Sequence, residues 1–437
     1  MAPVPTRRLV AALAVASLVV LVVPVGPPIG LLVADGVILG LALIDALLAL
    51  DPATIRIQRR LPSAVTIGAG GAEVAWVVHN PTARRANVAV ADSLAPSLRA
   101  GARRFRVHLP PRASVTTRTR IDPSRRGRFE PTEIVVRVDG RLGLGARQRR
   151  RQQPGVMSVL PAFRSRAEAE LRIERARRMD VGLRSAKGRG GGTEFDALRE
   201  YTVDDESRRM DWAATARANK PVVRTYRAER NQQVIVLLDN GRLMAGQVDG
   251  VPRIELAMDA VMMLTAVASR LGDRCGLVAF DREVRAVVPP AQGTAQLGRV
   301  IQAMYDLEPR LVESDYLGAF ATTLARFRRR AMLVLVTELS EEAVSETLIP
   351  ALPLLLAHHL VVVASVADPD VVRWSRATPA EPSGAYRTAA AVSALQHRDH
   401  TASRLRGLGA TVVDAPPGAL SSQLAETYLQ VKATGRL

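Results

Sequence analysis

Gln232 to Gly246 read QQVIVLLDNGRLMAG, and the reading of this stretch decides the fold. A short, β-branched apolar run that stops at Asp239 and turns through Asn240-Gly241 is the pattern of a strand buried on both faces and closed by a turn. The pattern recurs downstream in CGLVAF, AMLVLVTEL, HLVVVASVAD and TVVDAP. Amphipathic stretches separate these runs, predicted as helices over Ile254 to Leu271, Ala295 to Leu307, Tyr316 to Arg329, Glu341 to His358 and Ala389 to Leu408. Strand and helix in alternation imply a mostly parallel sheet covered by helices over residues 232–437, with ligand sites at the carboxyl ends of the strands. Asp239, Glu338 and Asp368 all fall at such ends, so the sheet is expected to gather them on one edge.

Outward from this domain the character of the chain changes twice. Residues 151–231 read as a connector, with a helical pattern from Arg164 to Met179 and a glycine-rich loop, GLRSAKGRGGGTEF. Thr193 and Glu194 follow the last glycine where a phosphate-binding loop needs a lysine and a hydroxyl, so no nucleotide site is predicted there. Residues 55–150 show short alternating runs such as EVAWVVHN, ANVAVAD and EIVVRVD, punctuated by Gly, Pro and Asn, which predict an all-β sandwich. The arginine run Arg147 to Arg151 is expected to end that unit as a solvated linker.

The first fifty residues are apolar. Leu9 to Val25 and Ile29 to Leu50 form two uncharged or nearly uncharged runs joined by GPPIG, which predicts a transmembrane hairpin over residues 1–51. Arg7 and Arg8 precede it and Arg56, Arg59 and Arg60 follow it, so both ends, and the soluble domains, are expected on the cytoplasmic side of a cell membrane. A cleaved secretory signal ending at Ala14 to Ala16 is the weaker reading, because the apolar run continues past that point. Asp35 and Asp45 interrupt the second run and are expected to reach toward water at its ends.

The chain of 437 residues carries a formal net charge of +18, yet its lysines are only Lys187, Lys220 and Lys432. A bias this strong toward arginine, beside heavy use of Ala, Val, Gly and Pro, reads as genome composition rather than as a nucleic-acid footprint, so nucleic-acid binding is not expected. Cys275 is the single cysteine, which excludes an intrachain disulfide framework and a thiolate metal cluster.

The segment GTEFDALREYTVDDESRRMDWAATAR, Gly192 to Arg217, resembles the signature of the family called domain of unknown function 58. Phe195, Leu198, Arg199, Glu200, Tyr201, Asp205, Glu206, Arg208, Trp212, Thr215, Ala216 and Arg217 match it in order, and Asp204 stands where a glycine is usual. RRGRFEP from Arg125 to Pro131, VDGRLGL, the N-terminal runs and the β-region are also similar to that family. The resemblance implies a von Willebrand factor A-like fold after Gln232, and a protein that works with a MoxR-type AAA+ ATPase. Arg199, Tyr201, Asp205, Arg208, Trp212 and Arg217 mix guanidinium groups, acids and aromatics, which suits an internal brace better than a docking surface.

A metal-ion-dependent adhesion site in such a fold needs Asp-x-Ser-x-Ser after the first strand, a threonine from a later loop, and an aspartate after the fourth strand. Here Asp239 is followed by Gly241 and Leu243 in place of both serines. Ser314 or Asp315 is the stand-in for the threonine and Glu338 for the aspartate. A hard cation such as magnesium wants octahedral oxygen ligands, so the expected site is degenerate and metal-free, with no cofactor. Asp239 is then a strand-end acid that accepts N–H bonds from its own turn or pairs with Arg242. His397 and His400, three apart on a predicted helix, are expected to be solvated, and His358 and His359 to complement a helix C-terminus. No Gly-x-Ser-x-Gly, His-Glu-x-x-His or phosphate-loop motif occurs, so an adaptor is expected rather than an enzyme. The rival is a metal-dependent enzyme using Asp239, Asp315 and Glu338.

Overall fold

The computed structural model describes residues 2–22, 27–186, 194–202, 207, 210–227, 232–339, 344–379 and 381–434. The chain divides into two compact units, Met1–Leu160 and Pro161–Leu437.

The first unit opens with strand β1 (Ala2–Pro5), helix α1 (Arg7–Val22) and helix α2 (Pro27–Leu48). Ten strands follow among the described residues: β2 (Arg56–Arg60), β3 (Ala64–Thr66), β4 (Glu73–His79), β5 (Ala86–Asp92), β6 (Arg104–Leu109), β7 (Ser114–Arg120), β8 (Gly127–Phe129), β9 (Glu133–Asp139), β10 (Gly145–Gln152) and β11 (Met157–Leu160). They make three sheets, β1-β10-β9-β5-β6, β2-β4-β7 and β3-β11-β8, the last with one parallel pair. Alternate residues of β4, β5 and β9 are buried, as a pleat with one face on a core requires. Val74, Trp76, Val78, Val88, Val136 and Val138 thus meet in one core. The ion pair Arg59–Asp92 (2.6 Å) lies inside it, and Trp76 Nε1 donates to the second oxygen of Asp92 at 2.5 Å. The β-region is therefore a set of mixed sheets, and its boundary runs to Leu160, beyond the arginine run.

That run is not a linker. Arg147 and Arg151 lie in β10 and reach back over the segment after α2: Arg147 donates to Ala49 O (3.4 Å), and Arg151 to Ile55 O (2.5 Å) and to Pro52 O. Arg84 donates to Leu48 O at 3.0 Å. The unpaired carbonyls at the C-terminus of α2 are thus met by guanidinium groups. Asp45 also departs from expectation. Only 3% exposed, it turns away from water and accepts the backbone N–H groups of Leu142 (2.9 Å), Leu144 (2.9 Å) and Gly145 (3.2 Å). Thr6, which caps α1 by accepting from Leu9 N (3.2 Å), donates to Gly143 O (2.5 Å) in the same turn. Both legs of the hairpin are held by the β9–β10 turn. Among the described residues one helix segment, Ile29–Leu48, is long and apolar enough to cross a membrane, with 20 residues at a mean hydropathy of 2.3. α1 has 16 residues.

In the second unit, α3 (Arg166–Ala186) precedes a small module of β12 (Glu194–Glu200), α4 (Trp212–Ala218) and β13 (Val222–Arg227). β14 (Gln233–Asp239), the short β15 (Gln247–Val248) and β16 (Val251–Pro252), and α5 (Arg253–Arg270) come next. Then follow β17 (Arg274–Phe280), β18 (Val284–Ala291), α6 (Ala295–Met304), α7 (Tyr316–Arg326), β19 (Met332–Val336), α8 (Ile349–Leu356), β20 (Leu360–Val366), α9 (Pro369–Ser375), α10 (Pro382–Gly407), β21 (Thr411–Ala415) and α11 (Leu420–Ala433).

The sheet order β18-β17-β14-β19-β20-β21 is that of a doubly wound α/β domain, with the strands parallel except for the antiparallel edge β18. This is the α/β domain the sequence predicts. Residues of the inner strands alternate between two cores: Val234, Val236 and Leu238 face α5 and α11, while Ile235 and Leu237 face α7 and α8. β18 is the strand the sequence reading lacked; its Pro289 and Pro290 are tolerated because a sheet edge leaves part of the ladder unpaired.

Candidate functional site

β14 ends the apolar run at the carboxyl edge of the sheet, next to β19 and opposite the N-terminus of α7. Asp239, 1% exposed, sits at that junction. Its Oδ1 accepts from Gly241 N (2.8 Å) and Ser314 Oγ (2.5 Å); its Oδ2 accepts from Tyr316 Oη (3.0 Å) and Thr337 Oγ1 (2.6 Å). Tyr316 Oη and Thr337 Oγ1 lie 2.9 Å apart. Burial first, and then the Asp239 carboxylate, push the Tyr316 phenol well above its ordinary range, so it stays a neutral donor. Four donors from three segments fill the lone pairs of one carboxylate.

Gly241 makes that closure possible. A Cβ there would lie 2.1 Å from Ser314 Oγ and 3.0 Å from Val312 O. The Ser314 hydroxyl occupies the space a side chain at position 241 needs, so the missing serine of the adhesion-type pattern and the presence of Ser314 are two halves of one arrangement.

The other acids diverge from this cluster. Glu338 follows β19, but its carboxylate points into a separate network. It pairs with Arg398 of α10 (2.5 Å) and with Arg253 of α5 (3.2 Å), and accepts from Ser365 Oγ at 3.3 Å. Arg398 also binds Asp414 through Nε (2.6 Å) and Nη2 (2.7 Å). Burial alone would lower the Arg398 pKa, but the bonds to Asp414 and the charge of Glu338 outweigh it and raise it. Asp315 caps α7 by accepting from Gly318 N at 2.9 Å, and Asp368 caps α9 by accepting from Asp370 N at 2.9 Å. Arg242 pairs with Glu313 (2.7 Å) rather than with Asp239. The expectation that the sheet edge gathers Asp239, Glu338 and Asp368 therefore fails at the level of side chains. Each acid finds nearer cations, hydroxyls or N–H groups, and among the described residues no three His, Cys, Asp or Glu side chains are grouped to hold a metal ion. Of the proposed stand-ins Ser314 alone meets Asp239. Tyr316 and Thr337, which sequence reasoning missed, complete the cluster; the only signal for them was their place beside Asp315 and Glu338.

The signature module is braced, though not by its tryptophan. Asp211 accepts from Ala214 N (2.9 Å) as the N-cap of α4 and from Arg224 Nε (2.8 Å) on β13. The Ala214 N–H first, then Arg224, hold its carboxyl below the usual range. Lys220 pairs with Glu200, Arg199 donates to Glu200 O (3.0 Å), Tyr201 N donates to Pro221 O (2.9 Å), and Arg217 donates to Ala213 O (3.2 Å). Trp212 is 70% exposed, which corrects its assignment to an internal brace. Asp205 and Arg208 lie outside the described residues. His397 and His400 are exposed on α10. His359, by contrast, is buried and accepts from Ala331 N (3.2 Å), so it does not serve the helix terminus as a cation. Burial, then His358 and Arg330, hold its pKa below the usual value.

The family described as Protein of unknown function DUF58 matches residues 197–373. Uncharacterized protein Rv1480 of Mycobacterium tuberculosis is 26% identical over 244 residues, covering 51% of this chain and 74% of that one. Uncharacterized protein Mb1516 of Mycobacterium bovis matches with the same identity and coverage, 26% over 51% of this chain and 74% of that protein. Among solved structures, BatB from Bacteroides thetaiotaomicron is 14% identical with a TM-score of 0.30, over 47% of this chain and 99% of that one. The SpRpn10 VWA domain is 16% identical with a TM-score of 0.28, over 45% of this chain and 95% of that one.

Proposed function

We propose, from the premise that residues 197–373 form a DUF58 region, that this chain is a membrane-anchored docking protein whose von Willebrand factor A-like domain engages a protein partner and performs no catalysis itself. The observation that carries the reading is the saturation of Asp239 by Gly241, Ser314, Tyr316 and Thr337. An acid whose lone pairs are filled by its own fold has none left for magnesium or for a substrate proton. What the edge offers instead is surface. Leu311 (82% exposed) and Leu317 flank the Ser314–Asp315 turn, beside the Arg242–Glu313 pair, and suit a protein face better than a small-molecule cleft.

The anchor is the hairpin of α1 and α2, with both legs crossing. β1 before α1 pairs with β10, and Asp45 near the end of α2 binds the turn that leads into β10, so the chain returns to the side it left. The arginines at that base favour the cytoplasmic side. The partner is a MoxR-type AAA+ ATPase, which rests on the family resemblance.

Purification of the full chain from membranes with and without ATP tests the partner. A nucleotide-sensitive complex containing such an ATPase is expected, and a stable complex lacking one overturns the assignment. A magnesium-dependent rise in thermal stability of the wild type, lost in Asp239→Ala, would refute the metal-free reading.

A further inference from the structure

The base of the hairpin carries a group of exposed cations whose charge is met by no acid among the described residues. Thr6 and Asp45 both bind the β9–β10 turn, which fixes Arg7 and Arg8 at the start of α1 beside Arg141 and Leu142 at the turn's tip. Arg8 lies directly over the turn: a Cβ on Gly143 would be 3.1 Å from its Nη1. Arg84, bound to Leu48 O at 3.0 Å, brings a further guanidinium to the end of α2. Arg7, Arg8, Arg84 and Arg141 are all exposed, and none of them forms a salt bridge with an acid among the described residues. The two aspartates nearby are already engaged, Asp45 by three N–H groups and Asp139 by Arg137 (3.2 Å).

Leu142 is 56% exposed on the same turn. Because that turn wraps α2 at Asp45, inside the apolar segment Ile29–Leu48, the exposed leucine stands level with the end of the span rather than out in water. An exposed apolar tip beside guanidinium groups that meet no acid matches the boundary between acyl chains and headgroups, where arginine forks bind phosphate in two-pronged fashion.

From this arrangement we infer that the hairpin base is a binding site for anionic phospholipid headgroups, with Arg8 and Arg141 as the phosphate ligands and Leu142 seated in the interface. The inference rests on the hairpin lying in a membrane, and the test separates the two. The purified full chain is reconstituted into nanodiscs of phosphatidylcholine alone or mixed with phosphatidylglycerol. Incorporation into both discs, resistant to alkaline carbonate, reads the anchor. Retention of phosphatidylglycerol over phosphatidylcholine, by native mass spectrometry of the chain released from mixed discs, reads the site.

The wild type is expected to prefer phosphatidylglycerol, less so at high salt. Arg8→Gln with Arg141→Gln should reduce the preference roughly fivefold per arginine while incorporation is unchanged. Arg8→Lys with Arg141→Lys should keep most of the preference, which separates lost charge from lost folding. Equal retention of the two lipids by the wild type, or a preference that survives the glutamine pair, overturns the lipid site while leaving the anchor standing. Failure to enter either disc overturns both.

Discussion

Replacing Gly241 by alanine adds one methyl group and tests the geometry of the Asp239 cluster. The backbone at Gly241 has φ −81° and ψ −171°, open to any residue, so no conformational strain is expected and a small gain in chain entropy would ordinarily follow. The new Cβ, however, falls 2.1 Å from Ser314 Oγ. Ser314 must therefore leave Asp239, forfeiting a 2.5 Å hydrogen bond to a carboxylate worth about 1.5–3 kcal/mol. Gly241→Ala should thus destabilise by about 2–3 kcal/mol, once the added crowding against Val312 O is included. Ser314→Ala alone should cost about 1.5–3 kcal/mol. In the double variant the methyl group enters space already vacated, so the two costs should overlap by about 1.5 kcal/mol or more.

Because the chain has two compact units, a single global unfolding midpoint would blur this effect. Native-state hydrogen exchange of peptides covering β14 and β19, in detergent, reads it locally. Costs that add within about 0.5 kcal/mol would refute the claim that Ser314 fills the place of a residue 241 side chain.

Three further outcomes follow from the fold. Arg398→Ala leaves Glu338 and Asp414 without their shared cation and should destabilise the edge formed by β19, β20 and β21 by about 3–5 kcal/mol, measured by hydrogen exchange at β21; Arg398→Lys should recover only part of it, since one ammonium cannot serve both acids. His359 is held neutral by burial, so the unfolded chain binds the proton more readily: its contribution is complete above a pH of about 6.5 and is lost as pH falls through the depressed folded value. The rise of stability with pH just below about 6.5 should flatten in His359→Asn, and an unchanged slope counts against the assignment. Burial pushes the Cys275 thiol up to about 11, so an aromatic disulfide reagent at neutral pH should label it only in denaturant, and rapid labelling of the folded chain would contradict its place in β17.

The parallel strands were legible in the sequence because a strand buried on both faces must be apolar throughout, and VIVLLD or LVLV can be little else. Asp239 was legible for the same reason: an acid ending such a run stands out. Its partners were not, because Ser314, Tyr316 and Thr337 lie 75 to 98 positions away and hydroxyls carry no periodic signal. Glu338 misled because its place after β19 fits the adhesion pattern, while its true cation, Arg398, comes 60 residues later on a helix whose sequence gives no hint of facing the sheet edge. Asp45 misled differently. Sequence alone sets an acid in an apolar span against water or another helix, and the N–H groups that receive it belong to a turn about a hundred residues further on. The arginines of β10 looked solvated because four arginines within five residues hide the alternation by which Arg147 and Arg151 share a face toward the end of α2.

The grip of the β9–β10 turn on both legs of the hairpin also orders events in time. Ribosomes deliver β1, α1 and α2 first, while the strand that pairs with β1 and the N–H groups that satisfy Asp45 arrive only with Gly145–Gln152 and the turn before it. Through that interval the Asp45 carboxylate and the β1 edge stay uncompensated, and the unit cannot close. The five-stranded sheet is thus completed by clasping its own beginning, so any pause or truncation before β10 leaves an apolar hairpin attached to an open sheet.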